Sequence, residues 1–133
     1  MGVNYHAMGE LKLAELAFSE ALDLQRDFPT RKLYVAETLL GLGALQSDLG
    51  DLEQAASNLR EALETLELEL PSNDRQVAEA TMELGGVLLR QGRHREAEDL
   101  LEAGTGSLSE LLGADDRRVV RANRYLELLE AES

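Results

Sequence analysis

Residues 42–62 read LGALQSDLGDLEQAASNLREA, and residues 84–104 read LGGVLLRQGRHREAEDLLEAG. Laid over one another, the two stretches share a frame. Leu42-Gly43 and Leu84-Gly85 open it. Seven residues later come Gly50 and Gly92, then Ala55 and Ala97, then Leu59 and Leu101. The small residues Ala62 and Gly104 close it. Residues 1–21 fit the same frame, from Met1-Gly2 through Gly9, Ala14 and Phe18 to Ala21, so the opening glycines lie 41 and then 42 residues apart. Downstream, Asn73-Asp74-Arg75 falls over Asp115-Asp116-Arg117, and Val77 over Val119.

Between these fixed points the apolar residues keep helical spacing. Leu11, Ala14, Leu16, Ala17, Phe18, Ala21 and Leu22 share one broad face of a helix over residues 10–27. Leu52, Ala55, Ala56, Leu59, Leu63, Leu66 and Leu70 do so over 52–70, with Glu53, Arg60, Glu61, Glu64 and Glu67 opposite. The whole pattern predicts a short helix at 1–8, then helices at 10–27, 31–49, 52–70, 74–91, 94–112 and 116–131. Breakers fall at Pro29, Gly50, Pro71-Ser72, Gly92 and Gly113. Gly2, Gly43 and Gly85 are expected where two helices touch, against Ala14, Ala55 and Ala97. Gly9, Gly50 and Gly92 suit the left-handed residue that ends a helix. Gly104-Thr105-Gly106 puts two glycines inside one helix, at about 1 kcal/mol each, and predicts a kink or frayed turn there.

This frame resembles the tetratricopeptide repeat: an apolar-Gly pair, an Ala ahead of a large apolar residue, and a breaker after the second helix. The resemblance covers essentially the whole chain. In its long period it is similar to the repeats of kinesin light chains and of many bacterial repeat proteins. The run Asp27-Phe28-Pro29, Tyr34, Leu42-Gly43 is also similar to repeat arrays attached to bacterial, especially planctomycete, serine/threonine kinases. The resemblance implies an all-α fold, a right-handed superhelical solenoid of helix-turn-helix hairpins. It would occupy 1–133 as one domain, with a truncated first repeat at 1–28, repeats at 31–70 and 73–112, and a capping helix at 116–131.

Composition narrows the function. The chain has 133 residues, 44% of them hydrophobic and 29% charged, as befits a globular domain able to bury a core without staples. It has no Cys, which excludes disulfides, thiolate metal sites and cysteine nucleophiles. The net charge of −13 disfavours nucleic acid and anionic membranes. The charge is uneven: residues 1–74 carry 14 acids against 5 bases, residues 75–133 carry 12 against 8. No stretch reaches the length of a membrane span and residues 1–9 do not read as a signal peptide, so a cytoplasmic protein is expected. His6 and His94 have no spaced metal-ligating partners. Neither a nucleophile elbow, a Walker loop, a dinucleotide fingerprint nor a calcium loop occurs. The expectation is a binding protein with no catalytic residues, cofactor or metal.

In the family the first helix of each hairpin lines the ligand groove. What the resemblance implies is a groove of Glu37, Leu40, Ala44, Ser47 and Asp48, then Glu79, Met82, Gly86, Leu89 and Arg90, then Arg121, Arg124 and Leu128. Its rim turns basic towards the C-terminus and would suit a short apolar protein or peptide segment with an acidic end. The alternative is that Arg117, Arg121 and Arg124, which share one helix face, pair with Glu79, Glu83, Asp116 or Glu127. Three functional readings follow: a scaffold that binds a protein segment, a regulatory segment of a larger protein such as a bacterial kinase, and a self-assembling piece. The third rests on the short first helix, too short to be stable alone. That helix cannot fully cover Leu11, Phe18 and Leu22 and predicts self-association through residues 1–28 or fraying of residues 1–8.

Overall fold

The computed structural model describes residues 5–26 and 31–132, with side chains over 9–24 and 31–132. Among the described residues there are six helices and no strand: α1 Tyr5–Arg26, α2 Lys32–Leu49, α3 Leu52–Glu69, α4 Arg75–Arg90, α5 His94–Leu112 and α6 Arg117–Glu132. From α2 onward they match the sequence expectation to within two residues at each end. The expectations for Gly2 and for Pro29 lie outside the described residues.

The start of the chain departs from the reading above. Residues 5–26 form one continuous helix, and Gly9 sits inside it rather than at a left-handed turn. The cause lies in helix cooperativity. A separate two-turn helix would have to be nucleated again, whereas each residue added to an existing helix gains a hydrogen bond. One interior glycine costs only about 1 kcal/mol against that gain.

Gly50 and Gly92 do end their helices, with φ of 87° and 82°. The closing hydrogen bonds are the same in both. The N–H of Gly50 donates to Ser47 and that of Asp51 to Gln46; the N–H of Gly92 donates to Leu89 and that of Arg93 to Leu88. This paired closure satisfies carbonyls that the helix end would orphan, and only a residue at ease with positive φ can sit at its centre. The starts of α4 and α6 also match. The Asp74 carboxylate accepts from the N–H of Gln76 at 2.8 Å, and the Asp116 carboxylate from the N–H of Arg118 at 2.9 Å. Each caps its helix in the manner favoured for Asp.

The chain forms two compact units, residues 1–65 and 66–133. In the first, α1 lies on α2, with the Phe18 ring over Gly41. A Cβ at Gly41 would stand 2.9 Å from Phe18 Cε1. Within the same unit α2 and α3 close on Gly43, where a Cβ would stand 2.6 Å from Leu59 Cγ and 3.4 Å from the Ala55 carbonyl oxygen. Ala55, Leu59 and Ala62 are fully buried. A hydrogen bond crosses between these helices, from Asn58 Nδ2 to Gln46 Oε1 at 2.7 Å.

In the second unit α4 and α5 close twice. A Cβ at Gly85 would stand 2.9 Å from Leu101 Cγ, and one at Gly104 would stand 2.8 Å from the Met82 nitrogen. The frayed turn expected at Gly104-Thr105-Gly106 does not occur: α5 is helical throughout. Gly104 is a contact residue that lets α5 approach the backbone of α4, and helix packing offsets its low propensity. Leu101, Leu108, Met82, Leu88 and Val119 are fully buried in this unit.

The glycine contacts refine one expectation. Gly43 and Gly85 are pressed by the leucines Leu59 and Leu101, four residues beyond the alanines the sequence reading paired with them. Ala55 and Ala97 are nevertheless fully buried.

Candidate functional site

The site expected from the sequence lies on α2, α4 and α6, and the structure divides its residues into two groups. Leu40, Ser47, Met82, Gly86 and Leu89 are buried, so they are interior rather than groove floor. In the second unit the filling is explicit. The Tyr125 ring of α6 lies against Gly86, where a Cβ would stand 2.5 Å from the ring. The second group stays accessible. Asp48, Arg90, Arg124 and Leu128 are exposed, while Glu37, Ala44, Glu79 and Arg121 are half-buried.

Arg121 is tied into the interior. Its Nε donates to Glu83 Oε1 at 2.5 Å and its Nη2 to Glu83 Oε2 at 3.1 Å, a two-pronged charge-assisted pair between α6 and α4. The Glu83 side chain is only 4% exposed. The guanidinium also lies 5.4 Å from the centre of the Tyr125 ring. A carboxylate this deeply placed needs its counter-charge, because an unpaired buried charge is strongly destabilising. Arg121 therefore serves the α4–α6 packing. Of the pairings weighed from the sequence, the one with Glu83 is present.

Arg118, not among the arginines weighed, takes Asp116 and Glu79. It donates from Nε to Asp116 Oδ1 at 3.0 Å and from Nη2 to Oδ2 at 3.2 Å, and its Nη1 stands 3.8 Å from Glu79. The side-chain hydrogen bond from Arg118, then its backbone N–H, hold the Asp116 carboxyl below the usual carboxylate range. The same bond raises the Arg118 guanidinium. The helix cap at Asp116 thus stays ionised to lower pH than a free aspartate would. Its contribution is full above the unfolded-state value and is lost as pH falls through the lowered folded value.

What remains accessible on α6 is a stripe. Val120, Arg124 and Leu128, at i, i+4 and i+8, are all exposed; Val120 and Leu128 are 48% and 41% accessible. The sequence reading named Arg124 and Leu128 but not Val120. The helical period that joins them was available as the signal. On α1 the exposed large apolar residues are Leu13, Leu16 and Leu24, while Leu11 and Phe18 are half-buried and Leu22 is buried. Of the residues expected on the apolar edge, Leu11 and Phe18 are thus incompletely covered and Leu22 is covered, while the most exposed apolar residues of α1 are Leu13, Leu16 and Leu24.

No group of His, Cys, Asp and Glu able to hold a metal ion occurs among the described residues. His94 does find a carboxylate, Glu132, at 2.7 Å on the surface. Sequence spacing could not show this, because the two are 38 residues apart and meet only when α5 and α6 pack. No helix of the described residues is long and apolar enough to cross a membrane.

Antiparallel helix pairs closed at a glycine, ended by a left-handed glycine and repeated at a fixed period define a helical-hairpin repeat protein. Comparison with known proteins agrees. The family model of the tetratricopeptide repeat matches residues 1–67, half of the chain, and the chain belongs to that family. Among solved structures it is similar to BtubC (BKLC) from P. vanneervenii, with a TM-score of 0.76 at 19% sequence identity. The match covers 96% of this chain and 50% of that one, so the chain spans half the length of that protein. At this identity the likeness concerns the fold. No curated protein matches the chain.

Proposed function

We propose that this chain is a protein-interaction module, without catalysis of its own, that holds a short helical or extended segment of a partner protein. Repeats of this family are in general protein-binding surfaces. The reading places the partner on the exposed side of α6, near Arg124. One observation carries the choice: Arg121 is consumed by the buried Glu83, whereas Arg124, three residues on, stays exposed between Val120 and Leu128. An apolar–cationic–apolar row at one-turn spacing suits a segment that offers apolar side chains on either side of a carboxylate.

Glu37, Ala44 and Asp48 on α2, and Glu79 and Arg90 on α4, are the accessible remainder of the expected groove. Glu79 and Arg90, which share a unit with α6, belong to the same proposal as secondary contacts. The test is titration of isotope-labelled protein with a helical peptide carrying leucines four residues either side of a glutamate. The proposal expects amide shifts centred on residues 117–128 and about tenfold weaker binding by R124E. Shifts confined to the outer faces of α3 and α5, or an R124E variant that binds unchanged, would overturn it.

A further inference from the structure

The partner that the α6 stripe describes is present in the chain itself. On α1, Leu16, Glu20 and Leu24 stand at i, i+4 and i+8, and all three are exposed, the leucines to 60% and 69%. On α6, Val120, Arg124 and Leu128 stand at the same spacing and are likewise exposed. One row is apolar–anionic–apolar, the other apolar–cationic–apolar. Set antiparallel, Glu20 of one helix faces Arg124 of the other, and each leucine of α1 meets Leu128 or Val120. In either direction along the helices the charges stay opposed and the apolar residues stay matched, because both rows are symmetric about their centres.

We infer that the α6 stripe binds α1 of a second copy of this chain, in a head-to-tail contact. The inference rests on the reading of α6 as the binding face and names its occupant. Two observations favour a second copy over other apolar segments. The charges complement at the centres of the two rows, Glu20 against Arg124: described α1 side chains are acidic, with Glu10, Glu15, Glu20 and Asp23 against Lys12, while on α6 Arg117, Arg118, Arg121 and Arg124 precede the acids Glu127, Glu130 and Glu132. The α1 row also leaves two leucines more than half exposed, with Leu13 exposed beside Leu16, so association would cover apolar surface on this helix. The contact joins two different faces, so each copy brings both an α1 and an α6, and assembly grows with concentration. One helix against one helix is a small interface, so the affinity falls in roughly the micromolar to millimolar range.

Sedimentation velocity of the whole chain over a wide concentration range tests it, with circular dichroism to confirm that each variant stays folded. The wild type should show a weight-average mass rising with concentration. L16E should be monomeric. E20R and R124E should each associate at least about tenfold more weakly, and the double variant E20R/R124E should recover association. An equimolar mixture of L16E and R124E keeps one intact α6 stripe and one intact α1 row, so it should stop at a one-to-one dimer. Three results would overturn the inference: a wild type that stays monomeric throughout, association abolished by L16E yet indifferent to R124E (an α1–α1 contact), or a double variant no better than the singles. If the chain is monomeric but the leucine–glutamate peptide still binds at residues 117–128, the self-contact fails while the α6 binding face stands.

Discussion

The α2–α3 and α4–α5 hairpins are two solutions to one packing problem, and what they share differs in kind from what they do not. Both close on a glycine pressed by a leucine sixteen residues later, Gly43 on Leu59 and Gly85 on Leu101. Both first helices end in the same left-handed glycine with the same pair of hydrogen bonds. Between these points the chemistry diverges. The first hairpin spans its interior with the Asn58–Gln46 hydrogen bond; at the same repeat positions the second has Leu100 and the buried Leu88. The second hairpin adds a backbone-tight approach at Gly104, where the first has Ala62. Positions that set the distance between helices are fixed by sterics, since a Cβ there has nowhere to go. Positions between them need only fill volume and satisfy their polar atoms, which apolar and hydrogen-bonded pairs can both do.

The largest effect should come from the second unit's buried charge. Arg121→Glu places a like charge beside the buried Glu83 and should cost about 3–5 kcal/mol in urea unfolding. Arg124→Glu, on the same helix but exposed, should cost within about 0.5 kcal/mol. Equal costs for the two would contradict the division of α6 into an interior and an accessible side.

Next comes the contact that separates the hairpins. Gly104→Ala pushes a Cβ against the α4 backbone at Met82, which cannot swing away as a side-chain tip can. The expected loss is about 2–3 kcal/mol. Gly106→Ala, two residues on and with open space around its Cα, should gain up to about 1 kcal/mol from helix propensity. A Gly104→Ala variant as stable as wild type would show that the second hairpin is not held tighter than the first.

These two glycines also show how far the sequence could be read. Gly43 and Gly85 were legible because repetition singled them out, and Gly104 aligned with the small residues Ala21 and Ala62. Local propensity argued instead for a kink or frayed turn at 104–106, and tertiary contact with Met82 won. Gly9 was misread for the opposite reason: it repeats the frame of Gly50 and Gly92, but the helix simply runs through it. The site was less legible than the fold. Whether Met82, Gly86 and Leu89 line a groove or fill an interior depends on what a neighbouring helix places there. That Tyr125 lands on Gly86 follows from a packing 39 residues along the chain, which no local pattern encodes.

The smallest effect concerns the polar pair. Gln46→Leu with Asn58→Leu imports the second hairpin's residues into the first. Replacing both partners of a buried hydrogen bond by apolar groups is close to neutral, so the double variant should unfold within about 1 kcal/mol of wild type. Either single variant should be the less stable, because it strands one amide. Singles milder than the double would show that the pair specifies the hairpin rather than fills it.

The central claim is that glycine at the shared position exists to admit the leucine opposite. A double-mutant cycle on Gly43 and Leu59, followed by urea unfolding, tests it most directly. Gly43→Ala alone should cost about 1–2 kcal/mol, the overpacking exceeding the gain in helix propensity. Leu59→Ala alone should cost about 2–5 kcal/mol. With Leu59 truncated the new methyl has room, so the double variant should be more stable than the sum of the singles by at least about 1 kcal/mol. Costs that add to within about 0.5 kcal/mol would contradict the account.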